Sequence, residues 1–211
     1  MKLSENNEKS KTTFVTGGSG FIGSRIINSS PSDVRALVYR KEVESENIER
    51  VYGDFLSGED QFEKWIDGVN SIIHTARPSS GNIAGRYRIA RRTRKANLSM
   101  VSVVKDSKIP STILMHGSLS YGHRGEDIVH TGSTLNPVGY AKAYSIGERP
   151  WVDYLNSAGE VKIVRAPWVL GPGSWFEMLY CDETIPLFGD GRQWMSLVSV
   201  ESLADFTWSI L

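Results

Sequence analysis

Three glycines at regular spacing form the segment with the clearest chemical potential. Gly17, Gly20 and Gly23 lie in Thr-Gly-Gly-Ser-Gly-Phe-Ile-Gly, directly after a β-prone run and before an amphipathic run. Between a strand and a helix, such glycines allow a tight turn, close approach of the backbone to a pyrophosphate, and close packing of helix on strand. The helix start, with Phe21 and Ile22, would present free N–H groups to that phosphate. The pattern predicts a dinucleotide-binding loop.

Arg40 bears on which dinucleotide is bound. It follows the second predicted strand, where folds of this type recognise the adenosine ribose. An acidic residue there favours NAD, whereas a basic residue suits the 2′-phosphate of NADP. Arg40 therefore favours NADP over NAD. The alternative is a solvated arginine without a ligand.

The elements that must position these residues alternate along the chain. Apolar and β-branched runs predict strands at 12–16, 34–39, 48–52, 71–74, 113–115 and 162–164. Helical spacing predicts helices at 21–29, 61–66, 86–105 and 140–156. In the third helix Ile89, Leu98, Val101 and Val104 are expected to face the core, and in the fourth Pro150 predicts a kink or an early end near Arg149. The alternation predicts an α/β fold with a doubly wound parallel sheet covered on both faces.

Composition excludes several classes of protein. Among 211 residues, 24 basic and 24 acidic side chains balance, so overall charge does not support nucleic-acid or membrane-surface binding. No apolar run is long enough to span a bilayer. Cys181 is the only cysteine, which excludes a disulfide framework and a thiol-based metal site. The polar residues 1–11 are interpreted as a flexible leader, and a cytoplasmic location is expected.

Several segments together resemble the extended short-chain dehydrogenases/reductases, the NAD-dependent epimerase/dehydratase group. They are Thr-Gly-Gly-Ser-Gly-Phe-Ile-Gly at 16–23, Gly-Asp-Phe at 53–55, Ile-Ile-His-Thr-Ala at 72–76, the helix after Tyr140, and Val-Arg-Ala-Pro-Trp-Val-Leu-Gly-Pro-Gly at 164–173. A sixth, 189–204, is similar to the family's segment that crosses back under the substrate lobe. The resemblance implies a Rossmann domain at 12–170. Residues 171–211 would form a small or truncated substrate lobe with a crossover back to the main domain.

The resemblance also implies catalytic roles. The chain would be an NAD(P)-dependent oxidoreductase or epimerase acting on a carbonyl or hydroxyl compound, with nucleotide sugars among the candidate substrates. The Tyr140 phenol would donate or accept the proton and contact the cofactor, and the Ser118 hydroxyl would hold the substrate oxygen. Ser118 lies one residue nearer the following Tyr-Gly pair than is usual, which leaves Ser120 as the alternative.

Further cofactor contacts follow from the same resemblance. Asp54 and Phe55 would lie by the adenine. The phosphate–ribose path would be lined by Thr75, Ala76 and Arg77. The nicotinamide end would meet Pro167, Trp168 and Val169.

The sequence departs from the family at a critical position. The family has a lysine four residues after its tyrosine, and here Tyr144 stands there. Lys142 cannot simply replace it, because residues two apart do not share a helix face. Arg91 falls where the family often has a buried asparagine. These departures support an alternative function, a cofactor-binding sensor or partner-binding protein with little or no turnover.

Other features leave alternatives open. A basic cluster could bind a phosphate-bearing substrate or an acidic partner, or form a solvated helix face; it comprises Arg86, Arg88, Arg91, Arg92, Arg94 and Lys95. Trp168, Trp175 and Trp194 could line a substrate pocket or pack a small lobe. No histidine has the carboxylate spacing of a zinc site, so no metal is expected. The family often forms homodimers through its two long helices, although the basic residues and Pro150 would disturb that surface.

Overall fold

Six short strands pair side by side in one parallel sheet within the described part of the chain. They are β1 (Thr12–Thr16), β2 (Asp33–Val38), β3 (Ile48–Tyr52), β4 (Ser71–His74), β5 (Ser111–Gly117) and β6 (Val161–Ala166). Their order is β3-β2-β1-β4-β5-β6, and each neighbouring pair is parallel. This is the doubly wound Rossmann arrangement, with its switch point between β1 and β4. The predicted fold class is confirmed.

The structure is a computed structural model, and it describes residues 11–46, 48–58, 60–181, 183–187, 190–192 and 194–211. The predicted leader lies outside the described residues except for Lys11. Gly189 and Gln193 of the predicted crossover segment also lie outside them.

Helices cover both faces of the sheet. They are α1 (Phe21–Asn28), α2 (Phe62–Ile66), α3 (Ile83–Asp106), α4 (Ala141–Asn156), α5 (Trp175–Tyr180) and α6 (Val200–Ser209). Successive side chains of a strand point to opposite faces. In β1, Phe14 joins the cluster under α2, α3 and α4, whereas Val15 joins the cluster under α1 and α6. Burial on both faces explains why the central strands β4 and β5 are buried along most of their length. No helix among the described residues has the length and apolar character that crossing a bilayer requires.

A small second sheet leads the chain back to the main one. β7 (Trp168–Leu170) pairs in parallel with β8 (Leu197–Ser199). The Ser199 hydroxyl accepts a hydrogen bond from the Ser202 amide at 3.0 Å and caps α6. α6 then packs on α1, where the Trp208 indole donates to the Ile26 carbonyl at 2.8 Å.

The long helix α3 differs in two respects from its prediction. It begins at Ile83, a turn earlier than expected, because the Asn82 side chain accepts a hydrogen bond from the Gly85 amide at 2.7 Å. The expectation that Leu98 faces the core is wrong, since its side chain is 47% exposed. Val101 and Val104 are buried as expected, and Ala90, Ala96 and Met100 are buried with them.

The expected early end of the fourth helix near Arg149 is also wrong. α4 continues past Pro150 to Asn156. Pro150 and the following Trp151 are both buried. Proline has no backbone N–H and removes one helical hydrogen bond, but burial of the residues around it keeps the helix continuous.

Candidate active site

The carboxyl edge of the parallel sheet brings the predicted site residues into one region. Parallel strands end at the same edge, and each predicted group follows one of these ends. The glycine loop follows β1, Arg40 follows β2, and Asp54 with Phe55 follows β3. Thr75, Ala76 and Arg77 follow β4, Ser118 follows β5, and Pro167, Trp168 and Val169 follow β6. α4 runs back along the sheet, so Tyr140 at its start lies at this edge as well.

Glycine is required at the first position of the loop. Gly17 has φ +73°, and a Cβ there would lie 2.7 Å from both the Ala76 nitrogen and Thr75 Oγ1. A Cβ on Gly23 would lie 2.2 Å from the Gly17 carbonyl oxygen. The loop is therefore folded back tightly on itself and against the end of β4. Its backbone, not a side chain, forms the surface that a ligand meets.

The start of α1 is suited to a phosphate. Gly20 is the cap residue and supplies no side chain to the helix end. Phe21, Ile22 and Gly23 form the first turn, and no acidic residue lies in it. Open N–H groups with the positive end of the helix dipole attract a pyrophosphate. The cradle and its donors fit the dinucleotide that the glycine spacing predicts.

The ends of β1 and β4 are locked together beneath this loop. Thr16 Oγ1 lies 2.6 Å from Nδ1 of the buried His74. Thr75 Oγ1 donates to the Thr16 carbonyl at 2.7 Å. The Ala76 amide donates to Thr16 Oγ1 at 3.3 Å. These bonds fix the cleft at the switch point, where ligands bind in open α/β sheets.

The ends of β2 and β3 are adjacent. The Gly53 amide donates to the Val38 carbonyl at 2.9 Å, which brings Asp54 beside the end of β2. Asp54 accepts a hydrogen bond from the Leu56 amide at 3.0 Å, so its carboxylate caps the short 3-10 turn Phe55–Ser57. Phe55 is buried, with its ring centroid 4.7 Å from that of His74. Arg40 is exposed, and its guanidinium lies 4.9 Å from the centroid of the Tyr39 ring.

The segment after β6 lies beside the start of α1. Trp168 is half-buried and packs edge-on against Phe176 and Tyr180, with centroid distances of 6.4 and 6.0 Å. At Gly171 a Cβ would lie 3.4 Å from the Phe21 ring, so this segment runs beside the glycine loop. Trp175 and Trp194 are 68% and 80% exposed, so neither packs a core among the described residues.

The two predicted catalytic side chains differ in setting. Tyr140 is 50% exposed, and its ring meets the Tyr144 ring edge-on at 5.9 Å between centroids. Ser118 begins the turn after β5 and is half-buried. Ser120, the alternative serine, is buried, and its Oγ lies 3.1 Å from His116 Nδ1. Ser118 is thus the more accessible of the two hydroxyls.

A positively charged side chain from another element lies beside Tyr144. Tyr144 is half-buried, and the Arg77 guanidinium carbon lies 4.7 Å from its ring centroid. The Arg86 guanidinium carbon lies 5.6 Å from the Tyr140 ring centroid. Lys142 is exposed. Two arginines therefore flank the tyrosine pair where a lysine was expected.

The sequence did not predict a buried cluster of ionisable side chains. Glu148 of α4 pairs with Arg165 of β6, and its other carboxylate oxygen lies 3.4 Å from Nδ1 of His116. Burial raises the pKa of the Glu148 carboxyl, and Arg165 opposes that rise. Burial lowers the pKa of His116 to about 3, with Arg165 and Arg77 adding to the effect and backbone hydrogen bonds at Gly117 and Tyr144 opposing it. His116 is therefore neutral. A charged residue within the apolar strand Val161–Ala166 was the available signal.

The buried asparagine also lies elsewhere than the resemblance suggested. Arg91 is exposed, whereas Asn97 is buried two turns further along α3. Its Nδ2 donates to the Gly147 carbonyl of α4 at 2.7 Å. Burial lowers the pKa of His74 to about 4, and a hydrogen bond with Asn97 opposes that fall. Asn97 thus connects α3 with α4.

A pocket lies between the ends of β4 and β5 and the facing sides of α3 and α4. The polar and aromatic side chains around it include Arg77, Ser79, Arg86, His116, Tyr144 and Glu148. Among the described residues, no cluster of histidine, cysteine and acidic side chains is placed to hold a metal ion.

Comparison with protein families gives one match across the chain. A family model described as the NAD dependent epimerase/dehydratase family matches residues 13–211. No curated protein matches the chain in sequence.

Solved structures with the same fold share little sequence with the chain. A dTDP-glucose 4,6-dehydratase of Streptomyces venezuelae, bound to NAD, is 20% identical with a TM-score of 0.79, covering 94% of this chain and 71% of that one. A UDP-N-acetylglucosamine 4-epimerase of Methanobrevibacter ruminantium is 22% identical with a TM-score of 0.77, covering 93% and 71%. A UDP-glucuronic acid 4-epimerase of Bacillus cereus, bound to UDP-glucuronic acid and NAD, is 18% identical with a TM-score of 0.77, covering 95% and 73%. The chain reproduces their fold over about seven-tenths of their length.

Proposed function

The chain belongs to the NAD-dependent epimerase/dehydratase family, and from that premise we propose that it catalyses a nicotinamide-dependent reaction at a carbonyl or hydroxyl carbon of a small molecule. Nucleotide sugars are the proposed substrate class, since they are what the similar solved enzymes are named for. The observation that carries the proposal is the tight glycine loop beside an open helix start, at the same sheet edge as Tyr140.

The proposed chemistry divides among a few side chains. The loop backbone at Gly17, Gly20 and Gly23 would hold the pyrophosphate. A bound nicotinamide supplies hydride acceptance or donation. The accessible Tyr140 phenol would move the proton of the reacting oxygen, and the Ser118 hydroxyl would hold that oxygen.

Further cofactor contacts are proposed at the strand ends. Thr75, Ala76 and Arg77 would line the phosphate–ribose path. Pro167, Trp168 and Val169 would meet the nicotinamide end. Asp54 and Phe55 would lie on the adenine side, and Arg40 would bind the 2′-phosphate of NADP in preference to NAD. The exposed guanidinium of Arg40 at the end of β2 supports this preference.

The remaining proposals concern organisation and setting. Residues 12–170 would form the cofactor-binding domain and residues 171–211 a reduced substrate lobe with its crossover. A cytoplasmic location and a homodimer built on α3 and α4 stay predictions. The alternative of a sensor or partner-binding protein without turnover finds no support in the family match.

Cofactor binding and turnover test the proposal together. Binding of NADPH and NADH is measured by fluorescence, and turnover is measured on a panel of nucleotide sugars and simple carbonyl compounds. We expect Tyr140→Phe to lower kcat by about 10²–10⁴-fold, because it removes the proton-transfer group. Cofactor binding should change much less than kcat, because the ring stays and only one hydroxyl contact is lost. Tyr154→Phe makes the same change near the other end of α4 and serves as the matched control.

The outcomes separate the two candidate functions. Cofactor binding without any Tyr140-dependent turnover would reject the enzyme and favour a binding protein. Failure to bind either dinucleotide would reject both.

A further inference from the structure

Arg86 differs from the rest of the basic cluster on α3. It is half-buried, and its guanidinium lies over the Tyr140 ring. The other cluster members are exposed: Arg88, Arg91, Arg92, Arg94 and Lys95. The interpretation of the cluster as a solvated helix face therefore applies to these five residues and not to Arg86.

The side chain of Arg86 is held in place but not neutralised. Its Nε donates to the Ser80 carbonyl at 2.9 Å, which anchors the guanidinium beside the pocket. No carboxylate among the described residues pairs with it. Glu148, the acidic side chain of the same pocket, is already paired with Arg165. The two terminal nitrogens of Arg86 form a fork that matches the two oxygens of a carboxylate or phosphate.

The surroundings of Arg86 add to its positive charge. Arg77 lines the same pocket, and its charge contributes, after burial, to keeping His116 neutral. Arg77 is likewise without a carboxylate partner among the described residues. Arg77 has its proposed partner in the cofactor phosphates, but a neutral substrate would leave the Arg86 guanidinium without an anionic partner, whereas an anionic substrate group would pair with it.

We propose that Arg86 binds an anionic group of the substrate, a carboxylate next to the carbon on which Tyr140 acts. This rests on the proposed function and narrows it to sugar acids within that substrate class. Phosphate oxygens of the cofactor or of a nucleotide have the same recognition chemistry, so the experiment must separate these sources.

Paired ligands that differ in one group test the assignment. UDP-glucuronic acid and UDP-glucose differ only in a carboxylate that replaces a hydroxymethyl group. Their dissociation constants are measured by calorimetry on the full chain in the presence of NADH. We expect UDP-glucuronic acid to bind about 10- to 100-fold more tightly than UDP-glucose, because its carboxylate would form a charged hydrogen-bonded pair with Arg86. Arg86→Gln should reduce the ratio to near one, and Arg86→Lys should restore part of it.

Two further variants serve as references. Arg88→Gln removes the same charge from the exposed face of the same helix and should leave the ratio unchanged. Arg77→Gln should weaken NADH binding, in keeping with its proposed place on the cofactor path, while Arg86→Gln should not.

Three results would overturn the assignment. The first is an equal affinity of the wild type for the two sugars. The second is a preference that survives Arg86→Gln. The third is an equal weakening of UDP-glucose, UDP-glucuronic acid and NADH by Arg86→Gln, which would assign Arg86 to a phosphate instead.

Failure of the nucleotide-sugar proposal gives a different pattern. If NADH binds and neither UDP sugar does, the affinities for free glucuronate and free glucose are compared instead of those for the UDP sugars. Binding of glucuronate that depends on Arg86 supports the anion site, and its absence overturns the site.

Discussion

Single side chains at the ends of β2, β4 and α4 set what the sheet edge can recognise. Arg40 is the residue proposed to meet the adenosine ribose, and its guanidinium is exposed above Tyr39. The sequence could predict that Arg40 lies at the sheet edge, because this depends only on its position after a strand. It could not predict the surroundings of Tyr140, since Arg77 and Arg86 reach the tyrosine pair from a different strand end and helix.

The cofactor preference can be tested at Arg40. We expect Arg40→Ala to weaken NADPH binding by about 10- to 100-fold, because a charged hydrogen bond to the 2′-phosphate is lost. NADH lacks that phosphate, so its dissociation constant should change little. Fluorescence titration measures both, and Lys41→Ala removes the neighbouring exposed charge as a control. Equal losses for both dinucleotides would contradict the NADP preference.

At the scale of elements, the pairing of α3 with α4 positions the pocket. Gly147 allows the approach, because a Cβ there would lie 3.0 Å from Thr93 Cγ2. Asn97 then crosses the contact and binds the Gly147 carbonyl. Helical periodicity predicted that both helices exist. It did not predict which polar residue would turn inward, because an asparagine on a helix is as compatible with solvent as with a buried partner.

Removal of this interhelical bond should lower stability measurably. We expect Asn97→Ala to reduce the free energy of unfolding by about 1–3 kcal/mol, because the buried Gly147 carbonyl loses its side-chain donor. Urea denaturation measures the change. Leu98→Ala, at the neighbouring half-exposed position, should cost less despite removing more apolar atoms. An equal or smaller loss for Asn97→Ala would show that the bond contributes little.

At the scale of the whole molecule, buried histidines join the sheet to its helices and are kept neutral. His74 lies at the end of β4 between Thr16 and Asn97, and burial lowers its pKa to about 4. His116 lies at the end of β5 beside Glu148, and burial first, then Arg165 and Arg77, lower its pKa to about 3. Each takes up a proton more readily in the unfolded chain than in the folded one.

Stability should therefore fall with acidity. Between the ordinary histidine pKa of 6.5 and these lowered values, the unfolded chain binds more protons, so the free energy of unfolding falls as pH falls. The slope is about 1 kcal/mol per pH unit for each histidine. The raised pKa of Glu148 acts in the opposite sense above its ordinary value of 4.5, where stability is lost as pH rises.

Substitution of one histidine should reduce this dependence. In urea denaturation across the acidic range, His116→Gln is expected to show a shallower loss of stability than the wild type. His130→Gln changes an exposed histidine and should keep the wild-type slope. Identical slopes in all three proteins would contradict the account.

The sequence alone determined the fold class and the tight glycine loop, because both depend on local rules. Strand and helix periods are set by neighbouring residues, and Gly17 and Gly23 occupy positions where a Cβ would clash within a few residues or with the end of β4. Only the tertiary structure decided which charges surround the tyrosine pair and the pocket beside it. The pairing of Glu148 with Arg165, the burial of His116 and the position of Arg86, which has no carboxylate partner among the described residues, arise where strands and helices distant in sequence meet. Charge and burial depend on those neighbours, and no local pattern records them.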